Sequence, residues 1–233
     1  MRKLGLIGGM SWVSTRDYYE QINRGVRRRT SPMASAPLII ESLDFTQLWG
    51  LHSADDWDRA GSVLADAARR LADGGAEGLI ICANSMHNVY DRVAEAAGVP
   101  VLHIADCVGA AMKAAGAANA ALIGTRNVMT ERFYRERLVA HGVDLLPPDM
   151  DMVEEVDRII YEELMRGKVT RTAERTLKTW IVRKEQEGAR AIVLACTELA
   201  LVVDVDANVL PVFDSTRIHT AAAVEFILDG AAA

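Results

Sequence analysis

Short, continuous apolar runs alternate with longer amphipathic stretches along the whole chain. The runs are Leu4–Ile7, Leu38–Ile40, Gly78–Ile81, Val101–Ile104, Ala120–Ile123, Ala191–Ala195 and Val209–Val212. They are apolar throughout, not at every second position, which predicts strands covered on both faces. Helical spacing fills the intervals at Ser14–Arg29, Ala54–Asp73, Val89–Ala97, Ile104–Ala115, Thr130–His141, Met152–Met165, Arg171–Glu187 and Thr216–Leu228. Strand followed by helix, many times over, predicts an α/β fold of doubly wound parallel sheets.

The pattern also repeats. Leu6-Ile7-Gly8 returns as Leu122-Ile123-Gly124, 116 residues on, and the same step carries Ser14 onto Thr130 and Tyr18 onto Tyr134. Ser14 and Thr130 suit the N-caps of the helices that follow. Gly75-Ala76 leading to Cys82 is echoed by Gly188-Ala189 leading to Cys196, the cysteines standing 114 apart. Two pseudo-symmetric domains are therefore expected, with the C-terminal helix returning to the first. That gives residues 1–100 plus 209–233 as one domain and 101–208 as the other. Ligands of open α/β sheets bind at the carboxyl ends of strands. An active site in the cleft between the domains, with Cys82 and Cys196 on opposite walls, follows as the expectation.

Composition narrows the classes. Half of the 233 residues are apolar and a quarter charged, enough for a sizeable globular core. No apolar stretch approaches the roughly 20 residues of a membrane helix, so no membrane partner is expected. Met1-Arg2-Lys3 before Leu4–Met10 has the outline of a signal peptide, but the run is brief and glycine-rich and reads better as a first strand. Net charge is −6, which argues against nucleic acid as a partner. Arg27-Arg28-Arg29 ends a helix, where cations suit the dipole. Three cysteines without a CxxC pair point to free thiols and a cytoplasmic location.

A cysteine at the end of a buried strand is ordinarily a small core residue. Here each of two is trailed by small polar groups: Ala83-Asn84-Ser85 after Cys82, and Thr197-Glu198 after Cys196. The first strand of each half ends in similar donors, Gly8-Gly9-Met10-Ser11 and Gly124-Thr125. Two thiols, one ionised and one protonated, can remove a proton from one face of a carbon and return one to the other, which a single base does not readily do. That is the chemistry of racemising an amino acid. A cysteine pKa tuned toward neutrality would suit it, and the surrounding donors would steady carbanion-like charge on a carboxylate. Cys107 lies among Val108, Ala110 and Ala111 and reads as core. His87, five residues beyond Cys82, could tune that thiol; His103 and His219 read as structural hydrogen-bonding groups. The histidines lack metal-ligand spacing, so no metal is expected. Gly8-Gly9 lacks the rest of a nucleotide fingerprint, and no lysine has the setting of a pyridoxal Schiff base. No cofactor is expected.

The segments Gly8-Gly9-Met10-Ser11-Trp12, Cys82-Ala83-Asn84-Ser85-Met86-His87, Leu122-Ile123-Gly124-Thr125, Ala195-Cys196-Thr197-Glu198 and Pro211-Val212-Phe213-Asp214 resemble the aspartate/glutamate racemase family. The likeness is to its bacterial aspartate racemases and broad-specificity amino-acid racemases, and it spans nearly the whole chain. It implies two α/β domains, a pyridoxal-independent two-base mechanism and a homodimer. It also implies that Cys196 takes the α-proton from the L-enantiomer and Cys82 from the D-enantiomer. Met10, Ser11, Asn84, Ser85, Thr125, Thr197 and Glu198 would line the substrate site. Ser85 stands where many members have threonine and keeps the hydroxyl. Gln47 stands where some aspartate-specific members carry an arginine for the side-chain carboxylate, which opens the specificity beyond aspartate. Lys168 matches a lysine that can serve the same end. Related reactions, hydantoin racemisation and cis–trans isomerisation of a dicarboxylate, reuse similar cysteines. A module that binds an anionic metabolite without turning it over is the non-enzymatic alternative.

Overall fold

A computed structural model describes residues 1–229 except Trp49, His52, Asp206 and Ala207, so the last four residues of the expected first domain lie outside the described ones. The chain divides into two compact units, one formed by Met1–His103 and the chain from His219 onward, the other by Ile104–Ile218. The first contains β1 (Leu4–Gly8), α1 (Trp12–Arg29), β2 (Leu38–Ser42), α2 (Ala54–Asp73), β3 (Gly78–Ile81), α3 (Tyr90–Ala97) and β4 (Val101–Leu102). The second contains α4 (Ile104–Ala114), β5 (Asn119–Gly124), α5 (Arg126–Thr130), α6 (Arg132–Ala140), β6 (Asp144–Leu145), α7 (Met150–Arg158), α8 (Arg171–Gln186), β7 (Ile192–Ala195) and β8 (Val212–Asp214). Helix α9 (Ser215–Asp229) begins in the second unit and continues into the first. No described helix is long and apolar enough to cross a membrane.

Each unit holds one four-stranded parallel sheet, in the order β2-β1-β3-β4 and β6-β5-β7-β8. The two orders are the same, second strand first. All residues of β1, β3 and β7 are buried, as continuous apolar runs require when helices cover both faces. In the first sheet Leu4, Leu6, Ile80 and Cys82 pack with Tyr18 and Ile22 of α1 and Ala223 and Ile227 of α9. Ile7, Leu79 and Ile81 pack on the other face, with α2 and α3. In the second sheet Ile123, Ile192, Leu194 and Cys196 face Met152 and Val156 of α7 and Leu177 and Ile181 of α8. Leu122, Val193 and Ala195 face α4 and α6.

Several boundaries differ from the expectation. Strand β8 pairs with β7, so the segment around Val212 belongs to the second sheet, and β4 pairs with β3 in the first. The divisions at 100/101 and 208/209 therefore move to 103/104 and 218/219. The apolar run Val209–Val212 marked the approach to β8 and of the strand itself only its first residue, Val212. The N-cap of α1 is Ser11, whose Oγ accepts from the Ser14 amide at 3.3 Å, so Ser14 lies inside the helix. Thr130 ends α5, and extended Glu131 caps α6. The Met152–Met165 stretch begins as α7 but passes into a π-helical turn, Ile159–Glu163, and a short 3₁₀ turn, Leu164–Arg166.

The repeat is offset by one residue at the cysteines. Ile7 pairs with Ile81, and Ile123, its counterpart, pairs with Leu194. Strand β3 thus maps onto β7 with a step of 113 (194 − 81), the step that also carries Gly75 onto Gly188, both at positive φ. On that step Cys82 matches Ala195, and Cys196 matches Ala83. Neighbouring strand residues point to opposite faces, which is why the two thiols fall on non-equivalent faces of their sheets, Cys82 toward α1 and Cys196 toward α7 and α8.

Candidate active site

At the carboxyl edge of the first sheet, β1 and β3 end side by side, with the Cys82 amide donating to the Ile7 carbonyl at 2.9 Å. The turn after β1 is built on close approach. Gly9 has φ +85°, and a Cβ there would stand 2.1 Å from the Leu43 carbonyl oxygen. The tight glycine pair therefore serves chain packing. Thr15 ties the turn together: its Oγ1 accepts from the Gly9 amide at 2.8 Å and donates to the Ser11 carbonyl at 2.9 Å. Met10 is buried in the cluster that holds Leu48, the last residue of a 3₁₀ turn, Phe45–Leu48; Gln47 lies on that turn with its side chain exposed. Ser85 opens a second 3₁₀ turn, Ser85–Val89, directly after Asn84.

Cys82 is fully buried, and burial alone pushes its thiol well above the ordinary cysteine range. Asn84 is buried too, and its Oδ1 has no hydrogen-bond partner among the described residues. His87 is turned to the backbone, its Nδ1 2.9 Å from the Ala83 carbonyl oxygen. It stacks edge-on with His103 and His219, ring centroids 4.6 and 5.7 Å away. His219 bridges Tyr18 Oη at 2.9 Å and the Leu102 carbonyl at 3.1 Å, the structural role expected of it, and burial lowers its pKa to about 4.

At the carboxyl edge of the second sheet, Gly124 pairs with Ala195, and Thr125 and Cys196 are the residues that directly follow these two partners. Thr125 is buried and its Oγ1 has no partner among the described residues. The Cys196 thiol donates to Glu198 Oε2 at 3.1 Å, and the Thr197 hydroxyl donates to the same oxygen at 2.6 Å. Glu198 is itself buried. Burial raises the Cys196 pKa well above its ordinary value; the charge of Glu198, its hydrogen bond to the thiol and the charge of Asp157 add to that rise. Burial thus favours the protonated form of both thiols, opposite in direction to the expected tuning toward neutrality. Lys168 is exposed in the loop that follows Gly167. Cys107 is half-buried on α4, its thiol pushed up to about 12 by burial and Asp106.

Each sheet edge therefore gathers its expected residues: Met10, Ser11, Cys82, Asn84 and Ser85 in one unit, Thr125, Cys196, Thr197 and Glu198 in the other. Gln47 and Lys168 stand out as exposed. Thr15 and Asp157 escaped the sequence reading. Asp157 accepts from the Arg126 amide at 2.7 Å and so fixes the turn that carries Thr125.

Two α/β units of this topology, each ending a central strand near a buried thiol, form the frame on which the comparisons place an isomerase of the racemase class. The family model of the Asp/Glu/hydantoin racemases matches residues 7–223, and the chain belongs to that family. A candidate Asp/Glu racemase from Yersinia pestis is 41% identical, with 98% of this chain and 100% of that one covered and a TM-score of 0.91. An aspartate racemase homologue from Pyrococcus horikoshii is 33% identical over 97% of this chain and 99% of its own, with a TM-score of 0.81. The broad specificity amino-acid racemase RacX of Bacillus subtilis is 21% identical over 215 residues, 82% of this chain and 92% of RacX.

Proposed function

We propose that the protein interconverts L- and D-aspartate or glutamate by proton transfer through two cysteines, without pyridoxal phosphate or a metal. Cys82 and Cys196 are the acid–base pair, one for each face of the α-carbon. Met10, Ser11, Asn84, Ser85, Thr125, Thr197 and Glu198 bind the substrate, and Gln47 and Lys168 meet its side chain. The observation that carries the reading is the pair of buried polar atoms without a partner among the described residues: Asn84 Oδ1 two residues beyond one thiol, and Thr125 Oγ1 at the end of the strand paired with the one that leads to the other. A buried acceptor or donor left unpaired costs about 1–3 kcal/mol, and a bound ammonium and carboxylate would satisfy both. The substrate's ammonium would also offset the burial that favours the protonated thiols, so ionisation would accompany binding. Glu198, which accepts a hydrogen bond from the Cys196 thiol at 3.1 Å, would take its proton.

An uncharged, exposed Gln47 supports acceptance of side chains beyond aspartate, as does the likeness to RacX. The working enzyme is proposed to be a cytoplasmic homodimer. The test is chiral chromatography of every common L- and D-amino acid after incubation with the purified protein and no added cofactor. Racemisation of aspartate or glutamate supports the reading. Binding without turnover across the panel sinks it in favour of a binding module, and turnover confined to a hydantoin or a cis-dicarboxylate moves it to those reactions.

A further inference from the structure

Asn84 stands at the N-cap position of the 3₁₀ turn Ser85–Val89, and asparagine is among the residues that cap best. A capping residue is typically extended and spends its side-chain oxygen on an amide of the turn. Asn84 does neither. Its backbone is helical, with φ −62° and ψ −50°, and its side chain makes no capping bond. The residue is 6% exposed, and Oδ1 has no hydrogen-bond partner among the described residues. A buried acceptor left unspent calls for a reason.

His87 closes the turn instead. Its Nδ1 lies 2.9 Å from the Ala83 carbonyl oxygen, and its amide donates to the Asn84 carbonyl at 3.2 Å. A carbonyl only accepts, so Nδ1 carries the proton and donates. The His87 ring is buried and held from three elements of the first unit. His103 directly after β4, Tyr90 at the start of α3 and His219 on α9 stand with ring centroids 4.6, 6.5 and 5.7 Å away. Two of these are themselves tied to β4. The Tyr90 hydroxyl donates to the Val101 carbonyl at 2.9 Å, and His219 Nε2 lies 3.1 Å from the Leu102 carbonyl oxygen. The cage leaves the ring little freedom to part from Ala83, the one residue between Cys82 and Asn84.

We propose that His87 is a positioning residue that acts through Asn84: by closing the turn on the Ala83 carbonyl it releases the Asn84 side chain from capping and reserves Oδ1 for a donor on the ligand. That the ligand is a racemase substrate rests on the function proposed above; the closure of the turn does not, and the test separates the two. His87→Leu keeps apolar bulk and loses the donor. His87→Asn carries an amide nitrogen at the same distance along the side chain and keeps it. Hydrogen exchange read by mass spectrometry is expected to be about tenfold faster over residues 82–89 in His87→Leu, and within about threefold of the parent in His87→Asn, with β1 and α2 unchanged in both.

In turnover of aspartate, His87→Leu is expected to raise KM about tenfold with kcat within about threefold, and His87→Asn to recover most of that loss. Asn84→Ala is expected to raise KM about tenfold in the parent but less than about twofold in His87→Leu, because both act through one oxygen. A role in stability alone would speed exchange across the first unit and leave the two substitutions additive; either result would overturn the inference. So would exchange over residues 82–89 within about twofold of the parent in His87→Leu. If leucine unfolds the first unit, asparagine carries the test: parent-like exchange over residues 82–89 supports the inference, and exchange about tenfold faster there overturns it. Locally faster exchange in a His87→Leu protein whose parent racemises nothing would leave the closure standing and refute the racemase reading.

Discussion

Cys82 and Cys196 close corresponding strands of two sheets with the same topology, yet the two ends are chemically different. Cys82 is sealed among Leu6, Tyr18, Ile22 and Ile80, and burial alone favours its protonated form. Cys196 donates to a buried carboxylate that Thr197 also contacts, and a second acid on α7 adds its charge. The one-residue offset in the repeat explains part of this. It turns Cys82 toward α1, a helix with apolar residues on its packed face, and Cys196 toward α8 and α7, the helix that carries Asp157. A duplicated frame has supplied two thiols at similar depth without making them interchangeable. Two thiols on one duplicated frame need not ionise alike, and among the described residues Cys196 has a carboxylate acceptor while Cys82 is enclosed by apolar neighbours.

The largest test of the comparison is removal of the thiols. Cys82→Ser and Cys196→Ser are each expected to lower racemisation at least ~10³-fold, as loss of a positioned acid–base group does, measured by chiral chromatography. Glu198→Gln sharpens it. Loss of the carboxylate is expected to cost about 10- to 100-fold in kcat. Its charge raises the Cys196 pKa, so its removal lowers that pKa and moves Cys196 alkylation to lower pH while Cys82 alkylation stays in place.

Stability separates the two ends next. Gly9→Ala, which forces a side chain onto the Leu43 backbone at positive φ, is expected to destabilise the first unit by about 3 kcal/mol, read from urea unfolding. His219 gives that unit a pH dependence. Its folded pKa of about 4 lies below the unfolded value of about 6.5. The unfolded chain therefore binds the proton first, and stability is full above pH ~6.5 and falls as pH drops toward 4, by about 3 kcal/mol. His219→Gln is expected to flatten that slope. The smallest effect on folding is expected from Thr125→Val. No hydrogen bond of the free protein is lost, so stability should change by less than about 0.5 kcal/mol, while KM rises about tenfold if Oγ1 is reserved for substrate.

Much of this was legible in the sequence for identifiable reasons. Continuous apolar runs located β1, β3, β5 and β7, because strands covered on both faces carry no polar alternation, and the short apolar run Leu38–Ile40 located the edge strand β2 although it is not buried. Strands β6 and β4, of two residues each, give too little pattern to bound, and β8 was displaced because Val209 and Leu210 extend the apolar run ahead of it. The polar residues trailing each cysteine were visible because they follow it directly in the chain. Asp157 reaches the second sheet's edge through tertiary packing, from α7, which no residue spacing near Thr125 announces. The offset of 114 between cysteines looked like equivalence; only the strand register reveals that the frame repeats at 113 there.

Two-base transfer is tested most directly by proton exchange in deuterated water, with L- and D-aspartate offered separately to the parent protein and to each cysteine variant. The account predicts that the parent labels both products at the α-carbon. It predicts that Cys196→Ser exchanges only from the D-enantiomer and Cys82→Ser only from the L-enantiomer, neither racemising. Full racemisation by either single variant would contradict it.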